Sequence, residues 1–147
     1  MTYAIREALP TDALAIAELA CELGYPTKED AMRQRLAIIL QKADHRLFVA
    51  ADNGGAVIGW IQAHAADSLE SGLRVEIVGL VVASSARRIG VGRRLVDEVE
   101  CWASDIGCAV VAVRSNIKRV ESHIFYPALG YAAVKTQVAY SKMLKPR

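Results

Sequence analysis

Eight residues, Arg87-Arg88-Ile89-Gly90-Val91-Gly92-Arg93-Arg94, constrain this chain more than any other stretch. They lie between an apolar run, Val75-Glu76-Ile77-Val78-Gly79-Leu80-Val81-Val82, and an amphipathic run that begins at Val91. A strand that feeds a glycine-containing turn and then a helix leaves the helix's first backbone N–H groups without intrahelical acceptors. The helix dipole adds about half a positive charge at the same place. The arginines deepen that potential. Arg93 and Arg94 fall in the helix's first turn, where a cation opposes the dipole at about 0.3–1 kcal/mol each. A local rule broken in this way points to function, and the reading is a turn that holds a polyphosphate. From glycines and charge alone, a turn with merely solvated arginines is the plainer alternative.

Two familiar phosphate motifs fail. No Lys-Ser or Lys-Thr follows the glycines, as a nucleotide P-loop requires, and Gly90-Val91-Gly92-Arg93-Arg94-Leu95 puts leucine where the dinucleotide fingerprint needs a small residue. Arg87 through Gly92 does fit Arg/Gln-x-x-Gly-x-Gly/Ala, directly after an apolar strand and well before Phe125-Tyr126…Gly130-Tyr131. Together these features resemble the acyl-coenzyme-A loop of the GNAT superfamily of N-acetyltransferases.

A chain of 147 residues, 53% hydrophobic, suits one domain with a real core, here 1–147. No apolar run approaches the ~20 residues of a membrane span, and the N-terminus lacks a signal-peptide pattern. Charges are 18 basic against 16 acidic, so the net +2 does not argue for a nucleic-acid partner. Cys21, Cys101 and Cys108 are odd in number and form no C-x-x-C pair, which reads as reduced thiols in a cytoplasmic protein and not as a metal site.

The chain reads as alternating elements. Tyr3 to Ala8 is a first strand ended by Pro10. Thr11 caps a helix that stops at Gly24, and Thr27-Lys28-Glu29-Asp30 opens the next. Leu47 to Ala51 and Val57 to Ala65 form a hairpin around Asp52-Asn53-Gly54-Gly55, and Arg74 to Val82 is the fourth strand. Apolar positions 91, 95, 99, 102 and 106 make the clearest amphipathic helix, with Trp102 in the core. Ala109 to Arg114 is a near-continuous apolar strand, Arg119 to Leu129 a helix, and Tyr131–Val134 with Val138–Met143 a closing pair of strands. The fold class is α/β (α+β), a mixed central sheet of about seven strands flanked by about four helices. The order β-α-α-β-β-β-α-β-α-β-β is that of the GNAT fold, so the resemblance covers essentially the whole chain.

The resemblance implies acetyl-CoA as cosubstrate and an N-acetyltransferase that moves the acetyl group to a primary amine of a small molecule by direct attack in a ternary complex. It implies that the backbone of Leu80, Val81 and Val82 binds the pantetheine arm and thioester carbonyl. The loop Arg87, Arg88, Ile89, Gly90, Val91, Gly92 and Arg93 would take the pyrophosphate, and Asn116 the pantetheine amide. Tyr126 would be the general acid that protonates the departing thiolate. The spacing from Asn116 to Tyr126 is longer than the common pattern. The stretch Arg114 to Tyr126, with Leu23-Gly24-Tyr25-Pro26-Thr27, is more similar to a subgroup that includes aminoalkylphosphonate acetyltransferases.

Glu76 is the general-base candidate, placed by period-two alternation on the face of Val78, Leu80 and Val82. The alternative is a strand-end glutamate paired with Arg74. Tyr25, His64 and Glu70, with Glu22 and Asp67, fall in segments that flank the acceptor cleft in this fold. His123 could face solvent, coenzyme or tyrosine. A non-catalytic acyl-CoA-binding or regulatory module, or a protein or peptide amine acetyltransferase, are the rival functions. The sequence names neither the amine nor the acyl length, and leaves a homodimer open.

Overall fold

The computed structural model describes residues 2–115 and 119–147, and the chain divides into two compact units, Met1–Arg114 and Ser115–Arg147. In the first unit the element order is β1 (Tyr3–Glu7), α1 (Ala13–Glu22), α2 (Glu29–Leu40), β2 (His45–Asp52), β3 (Val57–Ser68), β4 (Gly72–Val82), α3 (Val91–Asp105) and β5 (Val111–Val113). The five strands form one sheet in sequence order. Neighbours from β1 to β4 are antiparallel, and β4 pairs with β5 in parallel.

Both faces of this sheet are covered. Leu47 and Val49 of β2 join Ala8, Ala13, Ile16 and Leu36 on the side of α1 and α2, where Trp60 packs against the same cluster. On the other side α3 buries Val91, Leu95, Val99 and Trp102 at the spacing read from the sequence, with Val96 beside them. Ile106, the last position of that stripe, caps the helix and is exposed. Gly59 is the close approach there: a Cβ on it would lie 3.1 Å from Val91 Cγ1 and 3.3 Å from Leu95 Cδ1. The entry to α1 is fixed by Asp12 and not by Thr11. The Asp12 carboxylate accepts Leu9 N–H at 2.7 Å and both guanidinium arms of Arg6 at 2.8 and 2.9 Å. A short 3-10 turn, Pro10–Asp12, precedes the helix.

A bulge changes the reading of β4. Gln62 pairs with Gly79, but Ala63 pairs with Ile77, so Val78 is an extra residue on β4. Opposed residues share a face in an antiparallel pair. Glu76, opposite His64, therefore lies on the face of Gly79 and Val81, and Leu80 and Val82 lie on the other. Strict alternation placed Glu76 with Leu80 and Val82; the bulge reverses that. Gly79 was the signal, since a glycine inside a strand marks a bulge or a close approach. A Cβ there would come within 2.8 Å of Trp60 Cζ3.

The second unit holds α4 (Val120–Ala128). Leu129 and Tyr131 N–H bond back to Tyr126 O, and Gly130, at φ +94°, ends the helix in the left-handed conformation. The sheet has five strands among the described residues and not about seven. Tyr131–Val134 and Val138–Met143 have strand-like patterns, but residues 131–147 are not assigned to a strand. Among the described residues, no helix is long and apolar enough to cross a membrane.

Candidate active site

The arginine turn is built as an anion cradle. After β4 a 3-10 turn, Ser84–Ala86, leads into Arg88 at φ +67° and Gly90 at φ +86°, the residue that opens α3. A left-handed arginine carries a Cβ cost that glycine avoids, and strain of this kind gathers at ligand clamps. Alternating hands turn successive N–H groups to one side, the arrangement that binds anions. Arg94 N–H is the first to bond back into the helix, onto Gly90 O at 3.0 Å, so the N–H groups of Val91, Gly92 and Arg93 have no intrahelical acceptor. Arg87, Arg88 and Arg93 are exposed, and among the described residues none of them forms an ion pair. Arg94 leans over the Tyr3 ring, 5.9 Å from its centroid.

The parallel pairing of β4 with β5 covers only Val75 to Ile77. Beyond it, Leu80, Val81 and Val82 pair with Ile61, Trp60 and Gly59 of β3 on one edge, and no β5 residue pairs with the other. That edge leads straight to the arginine turn. Among the described residues, no strand pairs with this edge, which runs in line with the exposed N–H groups of the turn.

On the same strand, Glu76 sits among basic side chains. Its carboxylate is 3.5 Å from Arg74 Nε, 3.7 Å from His64 Nε2 and 4.0 Å from an arm of Arg114. Behind His64 stacks His45, ring centroids 5.2 Å apart and planes 17° from parallel. Burial pushes the His45 pKa below its usual value against the pull of Asp44, with the charges of His64 and Lys42 adding to the lowering. The ion pair with Arg74, which the alternative to the base reading foresaw, is present, and His64 and Arg114 also lie within reach of the carboxylate.

In the second unit, Tyr126 lies on α4 in edge contact with Phe125 and Tyr131, at centroid distances of 5.0 and 5.8 Å. Burial raises its pKa above the usual phenol value, against the opposing charge of Arg119. Its phenol therefore stays protonated through neutral pH.

A family model described as the acetyltransferase (GNAT) family matches residues 13–131. The chain belongs to the GNAT acetyltransferase family. An aminoglycoside N(6')-acetyltransferase type 1 of Stenotrophomonas maltophilia is 29% identical over 146 residues, 97% of this chain and 94% of its own length. The aminoglycoside N-acetyltransferase AAC(6')-Iy, solved in complex with CoA, superposes with TM-score 0.84 at 25% identity over 96% of this chain and 95% of its own. The fold is also that of aminoglycoside 6'-N-acetyltransferase AAC(6')-Ih from Acinetobacter baumannii, with TM-score 0.86 and 22% identity, covering 98% and 100% of the two chains. The enzyme class read from the sequence, an N-acetyltransferase that uses acetyl-CoA, stands. These relatives bear aminoglycoside names, whereas the stretch from Arg114 to Tyr126 resembled the aminoalkylphosphonate type.

In this GNAT chain the structure brings Glu76 and His64 together and sets Leu80–Val82 in line with Arg87–Arg93. Tyr25 stands exposed at the joint of α1 and α2, and Glu70 at the exposed tip of the β3–β4 hairpin. Asn116 lies outside the described residues. His45 and Arg114 around Glu76, and Tyr3 beside the turn, carry no signal in the sequence, which names only Arg74 as a partner of Glu76. Only the β2–β3–β4 register, which depends on the bulge, could have pointed to His45.

Proposed function

We propose that this acetyltransferase acetylates a primary amine of a polycationic aminosugar, with acetyl-CoA as donor. The near-full-length likeness to aminoglycoside N(6')-acetyltransferases carries the choice of acceptor. The turn N–H groups from Arg88 to Arg93 hold the pyrophosphate, and Arg87 lends charge at its entry. The open edge of Leu80, Val81 and Val82 takes the pantetheine arm, which Asn116 holds by an amide contact.

The neutral amine attacks the thioester carbonyl, and a C–N bond forms as the carbonyl electrons move onto oxygen. A backbone N–H near Val81 stabilises that oxyanion, a donor typically worth ~3 kcal/mol. Collapse breaks the C–S bond and expels the thiolate, which takes its proton from the Tyr126 hydroxyl. Glu76 removes the proton of the attacking amine, directly or through water, and Arg74, Arg114 and His64 around it hold the carboxylate in place. His64, Tyr25 and Glu70 line the acceptor side. The whole of 1–147 acts as one N-acetyltransferase domain, and its three free cysteines suit a reducing cytoplasm.

Thiol release from acetyl-CoA tests the reading. The acceptors are an aminosugar with a free 6'-amine, the same ring with hydroxyl at that carbon, and a lysine peptide. Release with the first alone, matched by one acetyl group on the product, is the expected result. Release with the peptide alone would move the enzyme to protein amines. No release with any acceptor, while acetyl-CoA still raises the melting temperature, would make it a non-catalytic acyl-CoA module.

A further inference from the structure

Three strands set two histidines and a carboxylate in one row. His45 of β2 pairs with His64 of β3, and His64 pairs with Glu76 of β4, so the three share one face of the sheet. Glu76 pairs in turn with Ala112 of β5, whose methyl takes little room at the end of the row. Arg74, two residues from Glu76, and Arg114, two from Ala112, fall on the same face. The two oxygens of Glu76 meet different groups. Oε1 is 3.5 Å from Arg74 Nε and 4.0 Å from Arg114 Nη2, whereas Oε2 is turned to His64 Nε2 at 3.7 Å. Arginine keeps its proton at any working pH, so these two anchor Oε1 and take no part in transfer. Oε2 alone faces a ring that can accept a proton. The gap is too long for a hydrogen bond and closes with about 1 Å of side-chain movement, a tightening usual when a site fills.

The two histidines differ in what they can do. The His64 side chain is 28% exposed and reaches water, against 15% for His45. The His45 ring lies flat on that of His64, and rings stacked in this way exchange no proton, because neither N–H points at the other's nitrogen. His45 Nδ1 is buried and has no hydrogen-bond partner among the described residues, so a proton added there would be unpaired. Burial lowers the pKa of that ring, with the charges of His64 and Lys42 acting in the same direction and Asp44 against them. His45 therefore stays neutral and does not compete with its neighbour for a proton.

We propose that His64 takes from Glu76 the proton of the attacking amine and passes it to water, with His45 as the positioning residue that holds the His64 ring at its angle. This rests on Glu76 acting as the base. An N–H bond of the amine breaks and an O–H bond forms at Glu76 Oε2, the electron pair staying on nitrogen. That O–H bond then breaks as an N–H bond forms at His64 Nε2, and the carboxylate is restored for the next turnover. The imidazolium releases the proton to water or to a buffer base. Water returns one proton to the acid that protonated the thiolate, so no proton is gained or lost over a cycle.

Thiol release by His64→Ala, with acetyl-CoA and the aminosugar that has a free 6'-amine, tests the outlet. The kcat should fall by about 10–100-fold while the acetyl-CoA thermal shift persists, which separates lost transfer from lost folding. Added imidazole should restore the rate, and methylimidazoles should do so in order of their basicity, whereas the wild type should respond to none of them. A ring that only filled space would be replaced without regard to basicity. His45→Ala should lower kcat several-fold, and His45→Phe, which keeps a flat ring without a nitrogen, should recover most of the loss. A wild-type rate in His64→Ala, or a lowered rate that no base restores, would overturn the proposal and leave the acetyltransferase in place. So would His45→Phe as slow as His45→Ala. If the wild type itself releases no thiol with any amine, Glu76 is no base and the outlet falls with it.

Discussion

Glu76 and His64 face each other across β4 and β3, carboxylate to imidazole at 3.7 Å, because Val78 bulges out of the ladder above them. Without that extra residue Glu76 would turn to the opposite face, among the side chains that α3 buries, since a one-residue slip flips every side chain below it. The bulge thus decides whether β4 presents a carboxylate or a core residue at this position. It also lets the Trp60 ring lie over Gly79, next to the backbone that leads to the arginine turn.

Glu76→Gln tests the base directly. The amide keeps the size and can still face Arg74, but it cannot take a proton. We expect kcat/KM to fall by about 10²–10⁴ and its rising limb with pH to vanish, with folding intact. A limb that survives the substitution and follows the acceptor's own amine pKa across substrates would assign deprotonation to bulk water before binding. His64→Gln, in parallel, should shift the limb and leave the coenzyme affinity unchanged.

Gly90→Asp addresses the anion cradle. At φ +86° any Cβ is strained, the added carbon would lie 3.7 Å from the Tyr3 hydroxyl, and the new charge would sit at the proposed pyrophosphate site. For the wild type, acetyl-CoA at a hundredfold excess over its Kd should stabilise the fold by about 2.7 kcal/mol, read as a rise in Tm. The variant should show none of that rise. Equal shifts in the two proteins would separate the turn from the coenzyme.

Much of this arrangement was legible in the sequence for a physical reason. The α3 stripe buries Val91, Leu95, Val99 and Trp102 as spaced, because helix periodicity is a local property that packing only ratifies. The turn was legible because glycine and clustered arginine are expensive where they do nothing. The face of Glu76 was not, since a bulge is a relation between two strands and leaves one glycine as its local trace. Thr11 reads as a cap by residue type, and only the fold brings Arg6 to the neighbouring Asp12 carboxylate. The closing strands rest on pattern alone: Val138 to Met143 alternates like a strand, but alternation does not specify a pairing partner.

Tyr126→Phe removes the proposed acid and little else. Burial raises the phenol's pKa above its usual value, which favours the protonated donor at neutral pH. The expected result is a kcat lower by about 10²–10⁴ with coenzyme affinity nearly unchanged, and a loss of only about 1 kcal/mol in stability. A variant that turns over at the wild-type rate would leave Tyr126 as packing against Phe125 and Tyr131.

Gly79→Val measures how tightly β4 and Trp60 fit. With a Cβ 2.8 Å from one ring atom and 3.0 Å from the next, the indole must move out of the cluster formed with Leu47, Val49 and Leu36. Overpacking of this kind costs about 1–3 kcal/mol, visible as a lower Tm and a changed tryptophan emission. Unchanged emission with an unchanged melt would mean that the strand yields in place of the ring.

The Arg6–Asp12 pair predicts how stability depends on pH. The Asp12 side chain is 7% exposed, and the hydrogen bonds from Arg6 hold its carboxyl below the usual carboxylate pKa, aided by Leu9 N–H and opposed by burial. A depressed folded pKa means that the unfolded chain binds the proton more tightly. The contribution is therefore complete above the unfolded value of about 3.9 and is lost as pH falls through the folded value below it. Urea unfolding should show this loss on the acid side in the wild type, and Asp12→Asn should weaken the protein at pH 7 while flattening the dependence below pH 4. Because the Arg6 side chain is 37% exposed and regains water when its partner is gone, the loss at pH 7 should be about 1–3 kcal/mol and not the full cost of a buried charge. If the two proteins lose stability in parallel on acidification, other carboxylates carry the acid sensitivity and the pair only fixes the entry to α1.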